Sequence, residues 1–493
     1  MKYLLLGIDG AQNEIFQRYD MPFVHSLIKK GKDLNLTADL ISRGWVEIYT
    51  GQQATETGGY YEKPIANGTL EWSKDFKLSS IPGYGADIKP LWQVINELGF
   101  KVGVMNVPTT NPAPQVDGFF VSGGGGGKNI SEGIAVEQCY PKEIKNSLDE
   151  SGYIVDERVP SLLWEKGLFD AEKFIDRLIL MTEKRIESYI LLCKQYQVDF
   201  GFLVLRSVAV IEYLANGEGN RYLKQEKNTN EKLVLQIFRF YSRLDQLIEK
   251  LFKSLSPEQA MLVSDHGLVP RLFGVNLNAF LIKNGFQQSS GNKSMLFQFV
   301  KSFRHFIPYS LRQALKKNKK IKSGYQSLVN FDKEKSLAFN ITQMGAIFGI
   351  YLNDKERFGG PVKVNEKEAL KNTIINCFNE DVECQKHVVI AIPFEGFGKP
   401  FDHLMPDILV SMPDGYMPVN ESKQLFSKHA PSFNEIDLTK VRDDNWTGIK
   451  GTKALSIDCF QLDDAEQPSM QNNTPGLTTV FTKVVASFKR LQR

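Results

Sequence analysis

The stretch Met261-Leu-Val-Ser-Asp-His-Gly267 constrains both the fold and the chemistry of this chain. Its first three residues are apolar, which is typical of a buried strand in a parallel sheet. The strand continues directly into Asp265 and His266, a carboxylate and an imidazole, and the chain then turns at Gly267. Open α/β sheets bind their ligands at the carboxyl ends of their strands, so this pair stands where a ligand would bind. A simple polar turn after a core strand has the same composition, and the heptapeptide alone does not decide between the two.

The N terminus carries the same pattern and favours a ligand site. Lys2-Tyr-Leu-Leu-Leu-Gly-Ile-Asp9-Gly10 is again an apolar strand that ends in an aspartate and a glycine. Two buried strands that each deliver an aspartate at their carboxyl end predict a shared cation. Carboxylate and imidazole ligands suit a hard or borderline divalent ion, which Asp9, Asp265 and His266 would hold.

Length and composition exclude several classes of protein. The 493 residues exceed the size at which a single core stops growing, so we expect one large domain with smaller cap insertions. A net charge of +3 with 24% charged residues gives no sign of a nucleic-acid binder. The five cysteines form no CxxC pair and are odd in number, which favours reduced thiols in a cytoplasmic protein. The N-terminal apolar run ends at Asp9, too soon for a signal peptide, and no apolar window is long enough to span a membrane.

Apolar runs alternate with segments of helical periodicity along the whole chain, which indicates a layered α/β sheet. We predict a core built from residues 1–125, 199–285 and 335–480. Residues 126–198 and 286–334 are expected to be insertions over the carboxyl edge of the sheet. The predicted helices span 21–31, 90–98, 170–197, 230–254 and 276–281, and the predicted strands 101–108, 199–205, 345–352, 387–392 and 407–411.

Two conspicuous runs carry no chemistry that the sequence can specify. The five glycines 123–127 lack the Gly-Lys-Ser/Thr ending of a phosphate loop, so they are interpreted as a flexible rim and not as a nucleotide site. The basic run 316–322 favours a solvated surface over a site for a polyanion.

Ser42 is the candidate nucleophile. It lies in Ile41-Ser-Arg-Gly-Trp-Val-Glu-Ile-Tyr-Thr-Gly51, where a short segment precedes a mixed apolar helix. A serine at a helix N terminus would stand beside free N–H groups that favour an oxyanion or a phosphate. It would equally serve as an N-cap, and both roles can hold at once.

Six motifs follow one another along the chain: Asp9-Gly, Trp45 to Gly51, Gly103-Val-Met-Asn-Val-Pro-Thr109, Asp265-His-Gly, Asn276-Leu-Asn278 and Pro406-Asp407. Their order resembles the alkaline phosphatase superfamily, and most closely its type I phosphodiesterase / nucleotide pyrophosphatase branch, which includes phosphoglycerate-mutase-like relatives. The resemblance extends over nearly the whole chain.

This resemblance implies a doubly wound, mostly parallel central sheet with helices on both faces and a two-metal site at its carboxyl edge. One metal would be held by Asp9, Ser42, Asp265 and His266. The match is least close at the nucleophile. Family members usually have a Thr or Ser a few residues before the position of Trp45, and Ser42 here stands one residue nearer to it.

The second metal site departs from the family pattern. Its Asp-x-x-x-His ligands align with Ala209 and Tyr213, and its last histidine, in a Thr-Gly-x-His context, aligns with Lys450. His403 and His429 are the histidines that could substitute. We therefore expect one divalent ion and not two, zinc in preference to manganese or magnesium.

Two functions follow from this pattern. The first is a metal-dependent hydrolase of a phosphate ester, phosphodiester or related small anionic ester, with Ser42 as nucleophile and the lost cation partly replaced by Lys450, Arg206 or Arg43. The second is a non-catalytic descendant that binds an anionic ligand or a protein partner through the old cleft. The Cys/Ser-x-Pro-x-Arg signature of sulfatases is absent, and neither cap segment encodes the substrate in a readable way.

Overall fold

The computed structural model describes residues 1–123, 134–157, 170–226, 230–289, 331–341, 349–419, 424–428, 447–460 and 475–492. The chain divides into two compact units. The α/β unit comprises Met1–Gly59, Phe76–Arg271 and Ala430–Arg493, and the second unit comprises Tyr60–Asp75 and Leu272–His429. Residues 124–127 of the five-glycine run and the basic run 316–322 lie outside the described residues.

Strands and helices alternate through both units. The strands are β1 Tyr3–Ile8, β2 Lys32–Asp33, β3 Lys63–Pro64, β4 Trp72–Ser73, β5 Val102–Val107, β6 Gly118–Ser122, β7 Cys139–Tyr140, β8 Phe200–Leu205, β9 Gln259–Val263, β10 Gly267–Pro270, β11 Phe273–Val275, β12 Ala338–Phe339, β13 Gly349–Leu352, β14 Ile390–Pro393, β15 Ile408–Ser411, β16 Tyr416–Pro418, β17 Phe426–Lys428, β18 Gly448–Gly451 and β19 Ser456–Asp458. The helices are α1 Asn13–Phe16, α2 Pro22–Lys30, α3 Gly44–Thr50, α4 Ala54–Thr57, α5 Leu91–Glu97, α6 Ile144–Glu150, α7 Ala171–Tyr196, α8 Ser207–Leu223, α9 Glu231–Leu255, α10 Leu277–Lys283, α11 Lys355–Phe358, α12 Lys367–Glu380, α13 Val382–Lys386 and α14 Thr479–Leu491. Short 3₁₀ turns occupy Leu78–Ser80, Val136–Gln138, Val364–Glu366 and Asp402–Leu404.

The α/β unit is built on an eight-stranded sheet in the order β2-β19-β9-β1-β8-β5-β6-β7 among its described strands. The five central strands, from β9 to β6, run parallel, and antiparallel pairs occur only toward the two edges. This arrangement confirms the predicted doubly wound, mostly parallel sheet. Every residue of β1 and β8 is buried, as expected of strands that are covered by helices on both faces.

Alternate side chains of β1 enter separate cores on the two faces of the sheet. Leu4 and Leu6 pack with residues of α7, α8 and α9, whereas Tyr3 and Leu5 pack with residues of α3, α5 and α14. The two long helices begin at side-chain caps, because Asp170 accepts from Lys173 N and Asn230 accepts from Leu233 N.

The strand register places the polar residues of three strands at one edge. Ile8 pairs with Leu205, and Gly7 pairs with Val263, so β8, β1 and β9 end side by side. The next residues along the chain are Arg206, Asp9 and the Ser264–His266 segment. Parallel strands thus bring Asp9 and Asp265, which are 256 positions apart in the sequence, to one edge of the sheet.

The second unit holds smaller sheets in the orders β12-β13-β15-β14, β16-β11-β17 and β3-β4. Asp407, which belongs to the Pro-Asp motif of the resemblance, is ion-paired here with Arg357 at 2.5 Å and accepts from Leu352 N at 2.8 Å. Asn276 caps α10 by accepting from Ala279 N. Within the second unit, these two motif residues therefore have structural contacts that account for them.

The division of the chain into two units was not predicted. Tyr60–Asp75, 272–285 and 335–429, all assigned to the predicted core, belong to the second unit. Helix α7, predicted to lie in an insertion, packs through Phe174, Leu178 and Met181 on the core of the α/β unit, since its periodic apolar face continues that core. Most of 286–334 lies outside the described residues, so that insertion stays a prediction. No helix among the described residues combines the length and the apolar character needed to cross a bilayer.

Gly7 allows helix α3 to pack directly on the central strand. A Cβ at this position would lie 2.6 Å from a ring carbon of Trp45 and 2.8 Å from a methyl of Val204. We expect Gly7→Ala to lower the free energy of unfolding by about 1–3 kcal/mol, because the tryptophan must move away from the sheet. Urea unfolding of both proteins measures the change.

The matched control is Gly476→Ala, where nothing lies within 4 Å of the added Cβ. Equal unfolding midpoints for the two variants would show that α3 does not depend on this contact.

Candidate active site

Asp9, Asp265 and His266 form a cluster of metal-ligand type at the carboxyl ends of β1 and β9. One ligand atom from each lies within 4.8 Å of the other two. His266 Nε2 is 3.8 Å from Asp9 Oδ1 and 3.7 Å from Asp265 Oδ2. Ligand atoms bound tetrahedrally to one zinc ion stand roughly 3.4 Å apart, given bonds of about 2.1 Å. The three side chains therefore fit a shared divalent cation after small adjustments.

His266 is held in the form that binds metals. Its Nδ1 donates to the carbonyl of Gly267 at 2.8 Å, which leaves the lone pair of Nε2 facing the two aspartates. Burial, and then the positive charge of Lys450, lower the pKa of His266 to about 3. The imidazole is neutral at physiological pH, as a metal ligand must be.

Placing the two aspartates side by side in a buried site destabilises their charged forms. Burial, and then the charge of Asp265, raise the pKa of Asp9 to about 6, although His266, Arg206 and Lys450 act in the opposite direction. Carboxylates that are buried close together repel each other and disfavour the charged form. A cation between them would remove this penalty, so the donor set fits a divalent ion in charge as well as in geometry.

Ser42 directly precedes the N-cap of the helix that packs against Asp265. Helix α3 begins at Gly44 with Arg43 at the N-cap position, so Ser42 is not its N-cap. The first turn of α3 packs against Asp265, since a Cβ on Gly44 would lie 2.6 Å from the Asp265 carbonyl oxygen. Glycine permits this close approach, and Ser42 stands two residues before it in the sequence.

Asp39 is a site residue that the sequence did not indicate. It accepts from the backbone N–H of Ser42 at 2.8 Å through Oδ1, and from the Ser42 hydroxyl at 2.6 Å through Oδ2. Because the hydroxyl proton is directed to Asp39, the lone pairs of Ser42 Oγ face elsewhere. Glu47 completes the surroundings; burial and then Asp39 raise its pKa well above the usual range, while a hydrogen bond with Ser42 lowers it.

Lys450 lies on β18, which pairs antiparallel with β10. It stands opposite Leu268, two residues beyond His266. Thr447, directly before β18, donates to the carbonyl of Leu214 on α8 at 3.0 Å. Burial lowers the pKa of Lys450 to about 8, and the charges of Asp265 and Asp9 raise it against that effect. The lysine is thus a cation held in the field of the two aspartates.

Ala209 and Tyr213, which the sequence comparison placed at ligand positions of a second metal, lie on helix α8. A Cβ on Gly10 would lie 3.0 Å from the Cβ of Ala209, and the ring of Tyr213 is 6.4 Å from the ring of His266. Neither side chain offers a good ligand for a divalent ion. His403 lies in the second unit, and His429 lies outside the described residues.

Arg206 directly follows β8 and occupies the N-cap position of α8. Its Nη1 is 2.6 Å from Asp156 Oδ2, and its charge is among those that lower the pKa of Asp9. Arg43 lies over the ring of Phe76 at 5.7 Å, and its charge acts on Lys450. All three cations named from the sequence are therefore placed around the cluster.

Comparisons with known proteins agree with this architecture. A model of the type I phosphodiesterase / nucleotide pyrophosphatase family matches residues 3–434. The solved structure of phosphonoacetate hydrolase from Sinorhizobium meliloti 1021 in complex with phosphonoformate is similar over 99% of this chain and 96% of that chain, with a TM-score of 0.51 at 13% identity. That level of similarity shows a shared fold.

Two further solved structures are similar over the same share of this chain. The match to murine ectonucleotide pyrophosphatase / phosphodiesterase 5 covers 95% of that chain, with a TM-score of 0.44 at 10% identity. The match to alkaline phosphatase PafA covers 95% of that chain, with a TM-score of 0.46 at 11% identity. No curated protein matches the chain in sequence.

The raised pKa of Asp9 predicts that its negative charge lowers the free energy of unfolding when no cation is bound. The pKa of Asp9 is near 6 in the folded protein and about 3.8 in the unfolded chain, so the folded protein holds this proton more tightly. Protonation of Asp9 therefore stabilises the fold. This contribution is complete below about pH 3.8 and is lost as the pH rises through 6. In metal-free protein at pH 8, Asp9→Asn should raise the free energy of unfolding by roughly 1–3 kcal/mol, and by less at pH 5. Urea unfolding in the presence of a chelator at both pH values measures this.

Asp149→Asn, which changes an exposed carboxylate paired with Lys145, is the control for that experiment. A destabilised Asp9→Asn protein, or a gain that is larger at pH 5 than at pH 8, would contradict the account.

Proposed function

The chain belongs to the type I phosphodiesterase / nucleotide pyrophosphatase family, and we propose that it hydrolyses a small phosphoryl ester with a single divalent metal ion and Ser42 as nucleophile. The family is one of phosphoester and phosphodiester hydrolases of the alkaline phosphatase superfamily, so the chain is an enzyme of this kind. The metal requirement, the nucleophile and the loss of a second metal are the proposal, and the contacts described above support them.

Asp9, Asp265 and His266, with Ser42 Oγ, are the groups that would hold the ion. Two carboxylates and an imidazole favour zinc, with manganese or magnesium as alternatives. When bound, the ion would lower the pKa of the serine hydroxyl and draw charge from a phosphoryl oxygen. One ion is proposed because Ala209, Tyr213 and Lys450 stand at the positions of the second set of ligands.

Ser42 is prepared for attack by its neighbours. Asp39 receives the hydroxyl proton in a hydrogen bond, which fixes the side chain and turns the oxygen lone pairs away from Asp39. As Oγ bonds to phosphorus, its proton passes to Asp39 and the bond between phosphorus and the leaving oxygen breaks, which gives a phosphoserine. The leaving oxygen takes a proton from water. The resulting hydroxide attacks the phosphoserine, the Oγ–P bond breaks, and Asp39 returns the proton to Oγ.

Lys450 and Arg206 supply positive charge that does not depend on a second metal. Losing a charge partner of the transition state costs roughly 3 kcal/mol or more, and fixed cations offset part of this. The position of Lys450 on β18 and the ion pair of Arg206 with Asp156 support this role. The positive charges of both side chains lower the pKa of Asp9, so both act on the same site.

One observation carries the proposal: two buried carboxylates converge on a neutral imidazole, beside a lysine at a former ligand position. The alternative is a non-catalytic descendant that binds an anionic ligand or a partner, and the replacement of ligands at Ala209 and Tyr213 favours it. A cytoplasmic location is part of the proposal, and it agrees with the five free cysteines of the chain.

The ligand assignment predicts how metal content responds to substitution. Asp265→Ala and His266→Ala should each abolish tightly bound zinc and all hydrolysis, because each removes one ligand of a small set. Lys450→Ala is the matched control, since it removes a cation from the same site and should leave zinc content unchanged. Elemental analysis of purified proteins gives the stoichiometry, and an unchanged zinc content in Asp265→Ala would place the ion elsewhere.

The missing second cation predicts a steep dependence on the leaving group. Wild type should hydrolyse p-nitrophenyl esters and be slower on alkyl esters by several powers of ten, since an alkoxide needs charge that Lys450 supplies only in part. The triple replacement Ala209→Asp, Tyr213→His and Lys450→His should raise zinc stoichiometry toward two and narrow that gap. Steady-state rates over a series of esters measure both effects.

Ser42→Ala is the control for the nucleophile in that series. It should remove almost all activity, and no phosphoserine should form at residue 42 during turnover. If wild type hydrolyses no activated phosphate, sulfate or phosphonate ester with any divalent metal, and the triple replacement gains none, the chain is a binding protein.

A further inference from the structure

Ser264 connects the two loops that carry the candidate metal ligands. Its side chain is completely buried, and it lies directly before Asp265 in the sequence. Its hydroxyl oxygen accepts from the backbone N–H of Ala11 at 3.2 Å, and the hydroxyl donates to the carbonyl of His266 at 2.6 Å. Because Ala11 stands two residues after Asp9, one hydroxyl joins the loop after β1 to the loop after β9.

Gln12 makes a second connection between the same loops, in the opposite direction. Its Nε2 donates to the carbonyl of Leu268 at 2.9 Å. Gln12 stands three residues after Asp9, and Leu268 stands two residues after His266. The buried side chain also packs on the turn between them, since its Oε1 would lie 2.4 Å from a Cβ on Gly267.

The Leu268 carbonyl is anchored to the core as well. It accepts a second amide hydrogen from Nδ2 of Asn216 on α8, at 3.2 Å. The same nitrogen donates to Glu212 Oε2 at 2.5 Å, and Glu212 Oε1 accepts from the hydroxyl of Tyr241 on α9 at 2.6 Å. These three side chains are buried. Residue 268 is therefore fixed by α8 and α9, and Gln12 connects this fixed point to the loop after β1.

Connections of this kind decide how much freedom the ligands lose when an ion binds. Loops that are already tied together have less conformational entropy to lose, so they bind more tightly. Groups that orient metal ligands without touching the metal typically change its affinity by about 10–100-fold. We propose, on the basis of the one-metal function above, that Ser264 and Gln12 are positioning residues that preorganise the three ligands for a divalent cation.

This role differs from a part in the chemical step. Both side chains bond to backbone carbonyls, Ser264 to that of His266 and Gln12 to that of Leu268. A bound ion would itself draw the ligands together, so a higher zinc concentration compensates for a lost connection. A group that acted on the substrate would not be replaced in this way.

The test titrates zinc into chelator-treated full-length protein and measures binding by competition with a chelating dye. Ser264→Ala should raise the dissociation constant for zinc by about 10–100-fold. Gln12→Met, which keeps the length of the side chain without its amide, should raise it by about tenfold or more. Ser264→Thr retains the hydroxyl and should restore most of the affinity that Ser264→Ala loses.

The zinc dependence of activity separates positioning from catalysis. With p-nitrophenyl phosphate, Ser264→Ala should need about 10–100-fold more zinc for half-maximal rate, and its kcat at saturating zinc should stay within about threefold of wild type. The Ala11 N–H keeps a contact with the carbonyl of Ile8 at 3.1 Å in this variant. Gln12→Met is the gentler change, because the Leu268 carbonyl keeps its bond to Asn216, and it decides the question if Ser264→Ala does not fold.

Ser188→Ala is the matched control. Ser188 is also buried, and its hydroxyl bonds to that of Ser151 at 2.7 Å, which joins α7 to the end of α6. The substitution removes a buried hydroxyl of the same size from a place that holds no metal ligand. It should leave the dissociation constant for zinc and the zinc dependence of the rate unchanged.

The outcomes separate this inference from the proposed function. Zinc affinities of folded Ser264→Ala and Gln12→Met within about threefold of wild type overturn the positioning role and leave the one-metal hydrolase standing. A kcat of Ser264→Ala that stays low at saturating zinc overturns it as well. Wild type that binds no zinc overturns the proposed function, and this inference with it.

Discussion

Two carboxylates buried at the ends of adjacent parallel strands are the constraint on which this site depends. The register between β1 and β9 fixes Asp9 and Asp265 beside each other, and nothing short of moving a central strand can separate them. Burial, and then the charge of Asp265, raise the pKa of Asp9. The neutral His266 ring directs Nε2 toward both carboxylates. The glycines that surround the cluster follow from the same crowding, because Gly44 lies against Asp265 where any larger residue would collide.

Lys450 gives the site its individual chemistry. A divalent ion and an ammonium group can both stabilise negative charge, but the lysine supplies one charge on a flexible side chain and brings no ligand positions. Its low pKa shows that burial opposes the charge that the aspartates favour. The family shows what kind of enzyme this is. The loss of a second metal ion is part of the proposal, and it rests on Ala209, Tyr213 and Lys450 at the positions expected to hold its ligands.

Strand positions and strand ends could be predicted because they have local signatures. The predicted strand 199–205 is Phe200–Leu205, and the predicted helix 230–254 is Glu231–Leu255, since apolar runs and 3.6-residue periodicity reflect burial directly. Asp39 could not be predicted, because a carboxylate three residues before a serine looks the same as any polar turn. The ion pairs of Asp156 could not be predicted for a different reason. Its partners Arg185 and Arg206 lie 29 and 50 residues away in the sequence, and only the fold brings them together. The split into two units was also unpredictable, since both units contain strands and helices of ordinary composition.

Anomalous diffraction at the zinc absorption edge tests the central claim most directly, because it locates each bound ion and counts them in one experiment. The account predicts a single strong peak in crystals of the full chain grown with zinc, within bonding distance of Asp9, Asp265 and His266, and no peak beside Ala209 and Tyr213. Two peaks of comparable height at this edge of the sheet would contradict the claim that Lys450 stands in for a metal. The absence of any peak among the three side chains would contradict the metal site altogether.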